Sequence, residues 1–165
     1  METVQLLPIV QQALEQNNIV YKVLECSSDY ADTAAFCEHY NFSIDQAANT
    51  ILVTSKKVEP TKYAVCVVLG TTRLDVNKAV CRLLNVKRAS FADAETTTKL
   101  TGMMIGGVTV FGIKDLPIYV DNAVLKQKEV IMGGGNRSSK VLLNPDELKK
   151  LASVEIVEDL AKPKE

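Results

Sequence analysis

Four glycines fall among β-branched and apolar residues between Thr101 and Gly112, TGMMIGGVTVFG. A second cluster, Gly133, Gly134 and Gly135 ahead of Asn136 and Arg137, follows about twenty residues later. Glycine inside a strand costs conformational entropy, so such clusters mark a bulge, a sharp bend or the close approach of a ligand. Two clusters in one short chain predict a cleft walled by backbone. Amide N–H groups freed by such turns can hold an anion or a developing oxyanion.

A chain of 165 residues with 47% hydrophobic residues is long and apolar enough to bury one core, and residues 1–160 read as a single domain. Residues 161–165, polar and terminal, read as a frayed tail. The longest apolar run, Ala64–Leu69, is far too short for a bilayer span. The first residues lack a basic start and a small-residue cleavage site, so a cytoplasmic location is expected. A net charge of −1 argues against a general nucleic-acid coat but allows a local basic patch. Arg73, Lys78, Arg82, Lys87 and Arg88 form one cationic run, either an RNA footprint or a solvated face.

The cysteines, Cys26, Cys37, Cys66 and Cys81, have no metal-finger spacing, and a lone His39 excludes a multi-histidine metal site. Cys66 and Cys81 lie in apolar stretches and read as core thiols. Cys37 and His39 leave open a nucleophile–base pair meeting in space.

Leu6, Leu7, Val10, Ala13 and Leu14 repeat at helical spacing. Ile19–Leu24, Thr50–Thr54 and Tyr63–Leu69 read as strands, the last two joined by a turn at 56–60. Asp32, Asp75, Asp93 and Asn144 stand at helix starts, and Ser43 with Gln46 forms a capping box. Further strands are expected at Val108–Val110, Ile118–Val120, Val130–Met132, Lys140–Leu143 and Val154–Val157. Irregular interleaving of these pieces predicts an α+β domain with a curved, mixed, largely antiparallel sheet flanked by helices. The four strands from Val108 to Leu143 are expected to share one sheet.

TGMMIGGVTVFG, then the strand-like LPIYVD ending at Asp121, then MGGGNRSSKVLLNPDEL, resembles in this order the YbaK/prolyl-tRNA synthetase-associated editing family over about Asp32–Val157. The resemblance implies a trans-acting deacylase that hydrolyses mischarged aminoacyl-tRNA, with the aminoacylated 3′ end of tRNA as partner. It implies no metal, no organic cofactor and no membrane; a homo-oligomer is left open. It places Gly106, Gly107 and Thr109 in the catalytic loop. It places Asn49, Gly112, Asp121, Gly133, Gly134, Gly135 and Arg137 around the substrate. Each also has a plain structural reading: a bulge at Gly106–Gly107, a strand threonine, a helix cap at Asp121, a β-turn at Gly133–Gly135.

Two departures stand out. The family usually has proline where this chain has Val110, and many members have a lysine where this chain has Asn49. Asparagine can hydrogen-bond a hydroxyl or phosphate but brings no charge. These losses keep two alternatives in view, a non-catalytic binding protein and a hydrolase of small activated esters.

Overall fold

The computed structural model describes residues 5–164. Tyr63–Leu69 (β3) shows how sequence sets the layers. Val65, Val67 and Leu69 pack into one buried cluster while Ala64, Cys66 and Val68 pack into another. A strand covered on both faces must be continuously apolar, which is why AVCVVL has no polar alternation.

Around β3 lies a five-stranded sheet in the order Ala89–Phe91 (β5), Ala48–Ser55 (β2), β3, Ile118–Asp121 (β6) and Val154–Val157 (β9). β5–β2 and β2–β3 are antiparallel; β3–β6 and β6–β9 are parallel. A second, antiparallel sheet has the order Lys22–Glu25 (β1), Ser139–Leu143 (β8), Val130–Gly133 (β7). The main core lies between these two sheets and takes in Leu6, Val10 and Leu14 from the first helical stretch, of which Pro8–Gln16 is α1. On the far side of the five-stranded sheet pack Val76–Val80 and Cys81–Leu84 (α3), together with Leu74 and Leu160. Behind the three-stranded sheet packs Thr33–His39 (α2), through Phe36 and Cys37.

Several local expectations hold. Ser43 and Gln46 form the capping box, on a short turn of helix at Ile44–Gln46. Asp93 accepts from the Thr96 amide to open Ala94–Thr101 (α4), which Gly102 closes in the left-handed region at φ 73°. Asn144 accepts from the Asp146 amide ahead of Pro145–Lys150.

Three expectations are corrected. Residues 108–110 form no strand, because their loop is held by contacts with Met103, Met104 and Gly135 instead of a ladder. The other three of those four segments divide between the sheets: Ile118–Asp121 joins the five-stranded one, Val130–Gly133 and Ser139–Leu143 the other. The tail is not frayed over its described length. Ala161–Pro163 (β10) pairs with Thr72–Leu74 (β4), anchored by fully buried Leu160. Two exchanges with neighbouring elements fix Leu160: its carbonyl accepts from the Asp75 amide, and its amide donates to Asp121 Oδ1. Glu165 lies outside the described residues.

Candidate functional site

Where α2 begins, the edge of β2 and the glycine loop enclose a cleft of about 370 Å³. Asp32, Thr33 and Ala34 at the start of α2, Ile105, Gly106 and Val108 of the glycine loop, and Asn49, Thr50, Ile51 and Leu52 of β2 line it, with Ala92 and Thr97 completing the lining. Sequence reasoning placed Gly106 and Asn49 at a common site, and the fold brings both into this lining. It missed Asp32, Thr33 and Thr50, whose capping and strand roles masked them.

The lining offers a definite chemical set. Asp32 is its one ionisable side chain, and its carboxylate makes no cap bond to α2. Thr50 Oγ1 is buried without a protein partner, although the residue lines the cleft. The Gly107 amide is committed to Met104 O at 2.8 Å. The amides of Ile105, Gly106 and Val108 take no partner among the described residues, which leaves them as the free donors of the loop that lines the cleft. The lining contains no cysteine and no histidine. Cys37 is buried on the inner face of α2, whereas exposed His39 stacks on Tyr30 with ring centroids 3.6 Å apart, so the two make no catalytic pair here. Cys66 sits in the core, where burial pushes its thiol up to about 12 and keeps it inert.

The remaining residues singled out from sequence lie behind the cleft. The two glycine clusters are pressed together, not parted by a groove. The Gly135 amide donates to Gly107 O at 2.7 Å, and the Met104 amide to Gly135 O at 3.1 Å. Gly133, Gly134 and Gly135 are buried, and Gly134 O accepts from the Leu7 amide ahead of α1. Gly112 lies against Ile9. Thr109 is fully buried with its hydroxyl unpartnered, and its amide points to Met103 Sδ at 3.4 Å. Asp121 serves the Leu160 amide, and burial raises its carboxyl above the usual range. Val110 packs in the main core, so the exchange of proline for valine alters support rather than lining. Arg137 braces the loop: Nη1 donates to Ile105 O at 2.8 Å, Nη2 to Ser28 O at 2.8 Å.

The two unpartnered threonine hydroxyls give a matched test. An unsatisfied buried hydroxyl costs about 1–3 kcal/mol, so Thr109→Val and Thr50→Val should each raise the thermal midpoint. Only Thr50 reaches the cleft. Its variant is expected to lose about fivefold in turnover, one hydrogen bond of about 1 kcal/mol, while Thr109→Val keeps wild-type rates. Equal rates in both variants would show that the Thr50 hydroxyl serves no ligand.

The resemblances of the chain agree with this layout. A candidate trans-editing enzyme for prolyl-tRNA synthetase matches at TM-score 0.79 and 26% identity over 95% of this chain and 96% of that one. A scaffold protein used in epitope backbone grafting matches at TM-score 0.78 and 25% identity over 95% and 97%. Hypothetical protein APE2540 shares the fold at TM-score 0.81 and 22% identity, over 93% and 99%. No helix among the described residues is long and apolar enough to cross a membrane. The aminoacyl-tRNA editing domain model matches residues 27–151, from the segment before α2 to the end of the Pro145–Lys150 turn, and the chain belongs to that family.

Proposed function

We propose that the cleft is the deacylation site of a trans-acting editing hydrolase, which cleaves the ester joining an amino acid to the 3′ end of a mischarged tRNA. The observation that carries this reading is the lining itself: one carboxylate that makes no cap bond, three uncommitted loop amides, and neither a cysteine nor a histidine. An aminoacyl ester presents the complementary groups. Its α-ammonium suits Asp32, its carbonyl oxygen suits the Gly106 and Val108 amides, and a small side chain suits the apolar surface of Ala34, Leu52 and Ala92.

Water attacks the ester carbonyl carbon, and the tetrahedral oxyanion is held by the loop amides. The bond to the ribose oxygen then breaks, and that oxygen leaves with a proton. Free amino acid and tRNA with an unesterified 3′ terminus are released. A donor preorganised for an oxyanion is worth about 3 kcal/mol in the barrier. The ribose hydroxyl beside the ester can orient the water, so the site needs to supply position more than acid–base strength. No metal or organic cofactor is called for.

Asn49 favours a second reading, a binding protein on the same fold, because the lining carries no cation to meet a terminal phosphate. A panel of proline tRNAs mischarged with alanine, serine and cysteine separates the two. Enzyme-dependent release of free amino acid from at least one, with correctly charged prolyl-tRNA spared, is the expected result. Tight binding without release supports the binding protein. Neither binding nor release, with cleavage of small aminoacyl esters, overturns the tRNA assignment.

A further inference from the structure

The β7–β8 hairpin sends two cations toward the cleft. Arg137 spans Ile105 O and Ser28 O at the surface. Three residues further along, Lys140 does the same in the interior. Its ammonium donates to Gly106 O at 2.9 Å, to Thr33 Oγ1 at 3.3 Å and to Ala31 O. Lys140 is fully buried and makes no ion pair among the described residues. A buried charge without a counter-ion is costly, and it is tolerated here only because each of its three protons meets an oxygen. Two of those oxygens belong to cleft-lining residues of different segments, Gly106 in the glycine loop and Thr33 at the start of α2.

We propose that Lys140 is a positioning residue for the reaction: resting on the deacylase reading, it acts as an internal staple that fixes the separation between the glycine loop and the start of α2, and so aligns the Gly106 and Val108 amides with the group bound by Asp32. The lysine does not line the cleft, and it touches no substrate. Its effect passes through the two walls it joins. An all-backbone donor wall has no side chain of its own to lock its place, so an external tether is what makes it preorganised.

The staple is strongest with the proton. A neutral amine keeps two donors for the carbonyls of Ala31 and Gly106 and accepts from the Thr33 hydroxyl, but it loses the charge that strengthens the bonds to both carbonyls. Burial lowers Lys140 from the ordinary 10.5 to about 8. The groups facing it are Asp32 at the start of α2, Cys26 after β1, Cys37 within α2, and Arg137 on its own hairpin. Asp32 favours the charged form and Arg137 opposes it; both thiols are raised by burial, so they stay neutral near pH 8.

The sign of the linkage gives a test that a merely structural lysine fails. Between pH 8 and 10.5 the unfolded chain keeps a proton that the folded chain has lost, so this group's contribution to stability rises with pH. The staple weakens over the same range. Turnover and stability therefore move in opposite directions. The experiment compares wild type with Lys140→Met and Lys140→Gln, using alanine-mischarged proline tRNA, or whichever mischarged proline tRNA wild type releases fastest. It reads kcat and KM from pH 6.5 to 9.5, thermal midpoints, and amide exchange at Gly106 and Val108.

Lys140→Met is expected to match or exceed the wild-type midpoint, to lose at least tenfold in kcat with KM little changed, and to lack the alkaline fall in kcat that wild type shows near pH 8. Lys140→Gln, which keeps two donors, should fall between them. Faster exchange of the two amides in Lys140→Met should accompany the loss. Unchanged kcat and pH profile in a folded variant overturn the proposal, as does a kcat loss that tracks a lowered midpoint. If Lys140→Met does not fold, Lys140→Gln is read against the same criteria. If wild type releases no amino acid, the deacylase reading has failed, and amide exchange alone then decides whether Lys140 holds the loop: protection equal in wild type and variant rejects it.

Discussion

Gly107→Val is expected to abolish the folded state or to lower stability by about 4 kcal/mol or more, and the reason is backbone, not ligand. A Cβ on Gly107 would stand 2.1 Å from Asn136 O and 2.7 Å from Asn136 C. Neither atom can swing aside, because the same stretch is fixed by the Gly135 amide on Gly107 O. A loss this large takes most of a typical domain's margin of about 5–15 kcal/mol. Reading the glycine as space for substrate would predict a folded, inactive variant; the contact with Asn136 predicts an unfolded one. Gly106→Ala is the counterpart. Its Cβ meets Arg137 Nη1 at 2.5 Å, the end of a flexible side chain, at a backbone φ of 92°. That positive φ costs about 1–3 kcal/mol in a non-glycine residue, so this variant should fold and lose activity at the cleft wall. Urea titrations of both variants check the order. A Gly107→Val midpoint near wild type would refute the packed-backbone account.

How the glycine clusters meet could not be read from their spacing. Composition shows that Gly106–Gly107 and Gly133–Gly135 need close approach, but not to what. They approach each other, and only Gly106 also faces the cleft. Local signals fared better. Asp93 with Gly102, Ser43 with Gln46, and the unbroken AVCVVL each specify an element through contacts a few residues long or through burial on both faces. The β-branched run Val108–Val110 misled because β-propensity reports a fit to a pleated, half-buried surface, and this segment lies in a loop packed on Met103 and Gly133.

Lys140 carries no local sign of its burial. Its place at the head of KVLL specifies a strand and nothing about which way the lysine faces. Its burial comes from β8 being the central strand of a sheet covered on both sides, and from the carbonyls of Ala31 and Gly106, more than thirty residues away along the chain. No periodicity reports such a partner. The family membership identifies the fold and the reaction class; the departures at Asn49 and Val110 acquire meaning only when one is found in the cleft and the other in the core.

Asn49→Lys is expected to raise kcat/KM on mischarged tRNA by about tenfold to a hundredfold. Asn49 lies half-buried on β2 opposite Val68, in the cleft lining, so a longer cationic side chain starts at the cleft wall. A hydrogen bond to a charged partner contributes about 1.5–3 kcal/mol, against the smaller return of a neutral amide, and about 1.4 kcal/mol is tenfold. The partner offered by the substrate is the phosphate preceding the terminal ribose. Asp32 is the one anion in the lining and competes for the new ammonium, which sets the gain toward the lower end. Two controls fix the cause. The gain should shrink as salt rises, since exposed charges are screened over about 8 Å near physiological ionic strength. It should also vanish on a small aminoacyl ester that has no phosphate. A salt-sensitive gain confined to tRNA places the 3′ terminus across β2 at Asn49 and identifies the natural asparagine as a weakening of the nucleotide contact. A variant equal to wild type at low salt, with the parent binding no tRNA, rejects a phosphate contact at this position and with it the tRNA substrate.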